Sequence, residues 1–262
     1  MKLEVVQWNK KENILLLRFE GATPSFANLI RRFAMDDVPT LAIENIAVHD
    51  NSSALYDEMV ALRLGLIPIK TDLSSYTLKS ACSCGGEGCA KCELKITLKV
   101  AKKGLVIAGE AQSADPKCTF AFEDMPVVKL AAKQKIEIEA TAILGHGREH
   151  AKWSPCLAYY KNEPSINTAA VKLDHEQKAR LQKACGNLVQ VDGKVKVDAD
   201  KLQTTPYAES CLQVLEEVGA EITDTENIIF TIESWGQLSC KEILDTAADL
   251  AVKELDLLKE KL

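Results

Sequence analysis

Four cysteines crowd into eleven residues: Cys82, Cys84, Cys89 and Cys92, spaced C-x-C-x4-C-x2-C. Two short thiol pairs flanking a turn can close a tetrahedron. Gly85, Gly86 and Gly88 lie between the pairs and let the backbone reverse sharply. Four soft thiolates suit Zn2+ and fill all its positions, so such a site is structural and not catalytic. Its expected role is to fold a loop too short to own a core. The alternatives are incidental thiols on a surface loop, or an iron–sulfur site, whose usual ferredoxin spacings do not match. The other cysteines, Cys118, Cys156, Cys185, Cys211 and Cys240, are scattered and read as small buried hydrophobes.

A second segment, Gly145-His146-Gly147-Arg148-Glu149-His150, holds two His and a Glu. Its spacing is not H-E-x-x-H, and no G-x-x-x-x-G-K-[ST] phosphate loop occurs. A shaped turn anchored by Trp153 is the expectation. No nucleophile elbow or Ser/His/Asp order appears either. Asp36-Asp37 and Glu216-Glu217 sit in charged surroundings and are expected to be solvated. Arg31-Arg32 fits either a solvated face or an arginine contact to a large partner.

The elements that must position these residues follow from periodicity. Ile14 to Phe19 reads as a buried strand. Thr23-Pro24 starts a helix, with Thr as cap and Pro where its missing N–H costs nothing. Phe26, Leu29, Ile30, Phe33 and Ala34 then form one apolar stripe. The middle reads as mostly β: Leu94 to Val100 alternates, and so does Ile136 to Ala142. Residues 165–223 look like a separate insert. Asp174 and Gln177 cap a helix that Gly186 stops, Asp192-Gly193 turns a hairpin, and Leu212, Leu215 and Val218 mark a second helix ending at Gly219. Ile228 to Glu233 is a strand, and Ser239 with Glu242 caps a long helix. Its stripe runs Leu244, Ala247, Ala248, Ala251, Leu255, Leu258 and Leu262, widened by Leu250 and Leu257. The stripes of the first and last helices serve either as intrachain core or as a partner interface.

The chain has 262 residues, 47% of them hydrophobic and 27% charged, as in ordinary globular proteins. No apolar run reaches membrane-spanning length, and the N-terminus lacks a signal-peptide build. A cytoplasmic protein is expected. The net charge of −6 argues against direct nucleic-acid binding as the main task. Nine cysteines, an odd number, in a reducing compartment make a disulfide framework unexpected.

Four motifs in order span nearly the whole chain and resemble the alpha-like subunits of cellular RNA polymerases. Residues 26–32, FANLIRR, resemble the family's dimerisation helix. Residues 57–68, DEMVALRLGLIP, resemble its "DE…HRLGLIP" segment, with Leu62 where the family often has His. Residues 145–155 resemble "GxGxxHAKWxP", and residues 230–238 resemble "FxxESxGxL". Size and the middle insert are most similar to the archaeal, D-type branch of that family.

The resemblance implies an α+β chain. A discontinuous dimerisation domain, residues 1–40 and 224–262, would combine strands with two amphipathic helices. A mostly β insert domain would cover 41–164, with a zinc loop at 81–93, and a small ferredoxin-like third domain 165–223. It implies a heterodimer with the small L-type polymerase subunit through Phe26, Leu29, Ile30, Arg31, Arg32, Phe33, Leu244, Ala248, Ala251, Leu255 and Leu258. Small N-type and P-type subunits would join, and the platform would nucleate the large catalytic subunits; DNA and RNA would be met only through the whole complex, with no membrane. Catalysis would lie on a large subunit. Cys82, Cys84, Cys89 and Cys92 would hold zinc. Cluster-bearing relatives carry C-x2-C-x2-C-x3-C-P runs in the third domain; only Cys185 and Cys211 stand here, so no iron–sulfur cluster is expected. The alternative function is an iron–sulfur or redox-sensing protein built on that insert.

Overall fold

The computed structural model of the chain describes residues 1–191, 195–205 and 207–262. The elements of the first half are β1 (Lys2–Asn9), β2 (Ile14–Glu20), α1 (Pro24–Arg32), β3 (Thr40–Asn51), α2 (Asp57–Leu66), β4 (Leu94–Val100), β5 (Gly104–Ile107), β6 (Gln112–Ser113) and β7 (Pro126–Leu130). Those of the second are β8 (Ile136–Gly145), β9 (Cys156–Asn167), α3 (His175–Cys185), β10 (Val189–Val191), β11 (Val195–Val197), α4 (Ala199–Thr204), α5 (Ala208–Glu217), β12 (Glu221–Ser234) and α6 (Cys240–Lys261). The protein is thus a mixed α/β chain with several sheets. It divides into two compact units, Met1–Asn28 with Ala158–Ile232, and Leu29–Leu157 with Glu233–Leu262.

In the first unit a sheet runs in the order β1-β2-β12-β9. Leu15, Leu16 and Leu17 are all buried, as are Ile228 through Ile232, so both inner strands are covered on both faces. Phe19 stacks on Phe230 at 5.5 Å and meets Phe26 of α1 edge-on at 6.1 Å. That helix starts where its sequence places it: the Phe26 N–H donates to Thr23 Oγ1 at 3.2 Å.

A bulge interrupts the antiparallel β1–β2 pairing between Val5 and Gln7. Leu3 faces Phe19, Val5 faces Leu17, and Trp8 faces Leu15. The extra residue keeps Trp8 on the face of Leu3 and Val5. All three are exposed, while their β2 partners are buried.

The same unit holds the smaller core of the insert. It gathers Leu181, Val195, Leu202, Leu215 and their neighbours from α3, α4, α5 and the β10–β11 pair, with Leu188 from the turn after α3. Asp174 and Gln177 form a reciprocal capping box, with N–H to side-chain oxygen distances of 2.7 and 3.0 Å. The helix ends at Gly186, whose φ is +54°. The turn expected at Asp192-Gly193 lies outside the described residues.

One expectation fails in this unit. Cys185 and Cys211 are joined in a disulfide rather than standing as separate buried thiols. They are 26 residues apart in sequence, and only the packing of α3 on α5 brings them together.

The second unit contains a sheet in the order β3-β8-β4-β6 and a separate β5–β7 pair. Along β4, Leu94, Ile96 and Leu98 are buried and Lys95, Thr97 and Lys99 exposed, the alternation its sequence shows. Leu41, Ile43, Val60, Ile69, Leu130, Ile138 and their neighbours fill one core. Helix α2, which the periodicity of the sequence does not announce, packs on β3 and β7. Phe33–Asp37 form a π-helical turn that packs against α6. That last helix opens on its expected capping box: Glu242 N–H donates to Ser239 Oγ at 3.3 Å, and Ser239 N–H to Glu242 Oε2 at 2.8 Å.

Candidate metal centre and interaction surfaces

The four clustered cysteines converge. Their Sγ atoms all lie within 4.8 Å of one another, and no other such group of potential ligands occurs among the described residues. Cys82 and Cys89 are 3.6 Å apart, Cys84 and Cys92 3.6 Å, and Cys89 and Cys92 3.9 Å. Thiolates about 2.3 Å from a tetrahedral Zn2+ stand about 3.8 Å from one another, so the set fits that ion.

The loop is shaped for this. Gly85, Gly86 and Gly88 have φ of +66°, +88° and +104°. At Gly88 the backbone conformation itself favours glycine, and an added β-carbon would also lie 2.7 Å from the Glu93 carboxyl, which would have to move. The Gly85 N–H donates to the Cys82 carbonyl at 3.0 Å, and the Cys92 N–H to the Cys89 carbonyl at 3.0 Å, so each thiol pair closes its own turn. Where the loop meets β4, Lys79 pairs with Glu93 at 2.7 Å and Thr77 N–H donates to the Lys91 carbonyl at 2.9 Å.

Its electrostatics point the same way. Hydrogen bonds from the backbone and side chain of Cys84 pull the Cys82 thiol down to about 6. The Gly88 backbone N–H leads in lowering Cys84. Burial pushes Cys92 up to about 12. Donors thus favour thiolates on one side while desolvation opposes the last one, and a central cation would offset that opposition.

The Gly145–His150 segment is a structural turn. Trp153 is buried, its indole N–H donates to the Ile143 carbonyl at 3.2 Å, and its ring leaves no room for a β-carbon at Gly145. His146 Nδ1 lies 2.9 Å from the Asp37 carbonyl, and Arg148 pairs with the Asp37 carboxylate. Lys152 Nζ sits 4.3 Å from the Trp153 ring centre and donates to the Ile43 carbonyl at 3.0 Å. The acidic pairs expected to be merely solvated are in part bound: Asp37 by Arg148, Asp36 by Arg32 at 3.8 Å, and Glu217 by Arg180 at 2.5 Å.

The residues expected to face a partner divide. On α1, Leu29 is exposed while Phe26 and Ile30 are half-buried; Phe33, just beyond, is half-buried too. Arg31 is half-buried with Nη1 3.6 Å from Met35 Sδ, and Arg32 is exposed. On α6, Ala251 is buried within the chain and Leu244 half-buried, whereas Ala248, Leu255 and Leu258 are exposed. Every residue of α6 beyond Ala251 is exposed, including Val252 and Leu257.

Two apolar surfaces escape sequence reasoning. One is the Leu3, Val5 and Trp8 row of β1, which simple alternation would show but for the bulge. The other is the outer side of α2, where Met59, Leu62 and Leu66 are exposed while Val60 and Leu64 are buried beneath. Apolar residues surround this helix, and its exposed Asp57, Glu58 and Arg63 do not gather on one side, so there is no amphipathic signature to find.

Residues 43–155 match the family model described as the RNA polymerase Rpb3/RpoA insert domain. Three similar curated proteins are each named DNA-directed RNA polymerase subunit Rpo3. That of Methanosarcina acetivorans is 34% identical over 95% of this chain and 94% of its own length. The Methanosarcina mazei protein is 37% identical over 86% and 85%, and the Thermoplasma volcanium protein 35% identical over 99% of both. Such identity along the full length shows common descent, and the chain belongs to the Rpo3 family of DNA-directed RNA polymerase subunits.

Proposed function

We propose that the protein is a non-catalytic assembly platform of a cytoplasmic RNA polymerase, acting by heterodimerising with the small L-type subunit. The observation that carries this reading is the C-terminal half of α6. Val252, Leu255, Leu257 and Leu258 are all at least half exposed, on a helix whose first half is anchored by Ile243 and Ala247. Four large apolar side chains extending from a seated helix suit a partner's apolar groove. The exposed side of α1 at Leu29 and Arg32 would contribute to the same partnership.

The dimerisation domain in this reading is residues 1–40 and 224–262. Residues 41–164 form the insert domain, and 165–223 a ferredoxin-like third domain without a cluster. Cys82, Cys84, Cys89 and Cys92 would hold one structural zinc that keeps the loop folded next to β4. The heterodimer, joined by N-type and P-type subunits, would present the surface on which the large catalytic subunits assemble. Nucleic acid would be met only through that complex.

The test is coexpression with the L-type subunit of the same genome, followed by native mass spectrometry. A one-to-one complex is expected for the native chain. The double variant Leu255→Asp/Leu258→Asp should lose it, because each charge would be buried unpaired at the interface. Both positions are exposed in the lone chain, so its melting temperature should hold. A variant that still co-purifies in full would remove α6 from the interface.

A further inference from the structure

The insert is a poorly provisioned piece of structure. Its β10 and β11 are three residues each, and α4 is six. Helix α3, HEQKARLQKAC, is mostly polar, and its buried residues are Leu181 and Cys185. Among the described residues its apolar anchors are one leucine, one sulfur and the half-buried Ala184 beside them, joined by an exposed ion pair from Arg180 to Glu217 on α5. Exposed pairs of that kind contribute little. The insert also buries the Gln203 amide, and among the described residues neither its Oε1 nor its Nε2 has a partner, which opposes stability.

Against this background the Cys185–Cys211 bond is the strongest tie between α3 and α5. Both sulfurs are fully buried. The other cysteines all lie outside any disulfide, the four converging thiols included.

We propose that Cys185–Cys211 is a reversible thiol–disulfide site, and that a dithiol reductant acting on it releases α3 from the insert while the rest of the chain stays folded. The chemistry is a two-electron exchange. One thiolate of the reductant attacks a sulfur of the pair and breaks the S–S bond, giving a mixed disulfide and one protein thiolate. The reductant's second thiolate then displaces the other protein sulfur. Two electrons and two protons end on Cys185 and Cys211 as thiols, and the reductant leaves as its disulfide. Because both sulfurs are buried, attack requires α3 to open locally, which its few buried contacts permit. Once the covalent tie is gone, the open state no longer faces a closed loop and becomes more populated.

The site needs neither the zinc assignment nor the L-type partnership. The experiment uses the full chain in buffers of graded oxidised and reduced dithiothreitol. Thiols are trapped with N-ethylmaleimide and mapped by peptide mass, and hydrogen exchange is followed on parallel samples. In the oxidised buffers Cys185 and Cys211 should resist labelling and be recovered as one linked peptide pair. Reduction should raise exchange across α3 and α5 on the order of 100-fold, with β2, β8 and residues 228–232 of β12 unchanged. The Cys185→Ser/Cys211→Ser variant should exchange like the reduced chain and ignore dithiothreitol. Full labelling of both cysteines in every oxidised buffer would overturn the proposal, and so would exchange in α3 that reduction leaves unaltered. A rise spread evenly over the whole chain would also overturn it, since the bond would then act on global stability and not on the insert. Should the serine variant fail to fold, titration of the native chain decides alone.

Discussion

Arg18 on β2 and Glu163 on β9 form a two-pronged ion pair inside the first unit. Nε lies 3.0 and 3.1 Å from the two carboxylate oxygens, and Nη2 lies 2.7 Å from Oε1. Only 15% and 10% of the two side chains are exposed. Asn227 Nδ2 donates to the same carboxylate at 3.0 Å, and Arg18 reaches Asp200 on α4 at 2.7 Å and Glu4 on β1 at 3.1 Å. The bond to Glu163 leads in holding Arg18 charged far above its ordinary range. One guanidinium thus links β1, β2, β9 and the insert's α4.

Removing half of that pair should be costly. Among the described residues, Arg18→Met leaves the buried Glu163 carboxylate with only Asn227 to meet it, and a loss of about 3–5 kcal/mol is expected. The double change Arg18→Met/Glu163→Leu removes both charges and should recover most of the loss. Urea denaturation of the native chain and the two variants measures the difference, and a double variant as unstable as the single would show that the pair is not self-contained.

Metal removal should act locally. Treatment with a strong zinc chelator, or Cys84→Ser, is expected to release one zinc per chain by elemental analysis. The freed loop around residues 79–93 should become sensitive to protease, while the β3-β8-β4-β6 sheet keeps its circular dichroism. Affinity should fall as the pH drops, because the ligands must give up protons to bind. Two zinc ions per chain, or none, would contradict the four-thiol site.

Gly147 is a steric test of the turn that holds Trp153. A β-carbon there would run into the Met35 carbonyl oxygen, and backbone cannot step aside as a side chain can. Gly147→Ala should cost about 1–3 kcal/mol. Gly104, where an added β-carbon meets nothing, is not an equal control because its φ is +147°. Thermal melting of Gly147→Ala beside the native chain gives the answer.

Acid should separate Asp72 from its neighbours. Its carboxylate accepts from the Ser74 hydroxyl at 2.5 Å, the Ser75 hydroxyl at 2.9 Å and the Ser74 N–H at 2.9 Å, and the Ser74 hydroxyl leads in holding it well below the usual carboxylate range. A depressed folded value means the stabilisation is complete above the unfolded pKa of about 4 and fades as the pH falls below it. Asp72→Asn should therefore lower the melting temperature at pH 7, and the gap should narrow toward pH 3. A gap that widens with acid would reverse the assignment.

Much of the fold is legible in the sequence because its signals are local. Thr23-Pro24, Asp174 with Gln177, and Ser239 with Glu242 each bond their own helix start, so spacing alone locates them. The alternation of β4 and β8 needs only a half-covered sheet. Helix α2 escapes because its charged residues, Asp57, Glu58 and Arg63, are spread around it and not gathered on one side, and because Tyr56, at its start, makes no side-chain cap. The π turn at Phe33–Asp37 escapes because nothing in five residues distinguishes it from a continuing helix. For the convergence of Cys82, Cys84, Cys89 and Cys92, spacing is sufficient, since all four thiols come from one loop. The Cys185–Cys211 bond is invisible for the opposite reason: it depends on how two helices pack, and counting cysteines carries no such information.

The bulge in β1 makes Val6 the one residue that the pairing skips. A strand alternates with a period of two, so Leu3, Val5 and a tryptophan at the next odd step would share a face without any irregularity. Excising Val6 would produce that uninterrupted strand, with the same three side chains turned the same way. Excising Glu4 instead would place Leu3 and Val5 on opposite faces. The apolar edge of this protein is therefore written in side-chain order and not in chain length, and its N-terminus can lose one residue without losing the surface it displays.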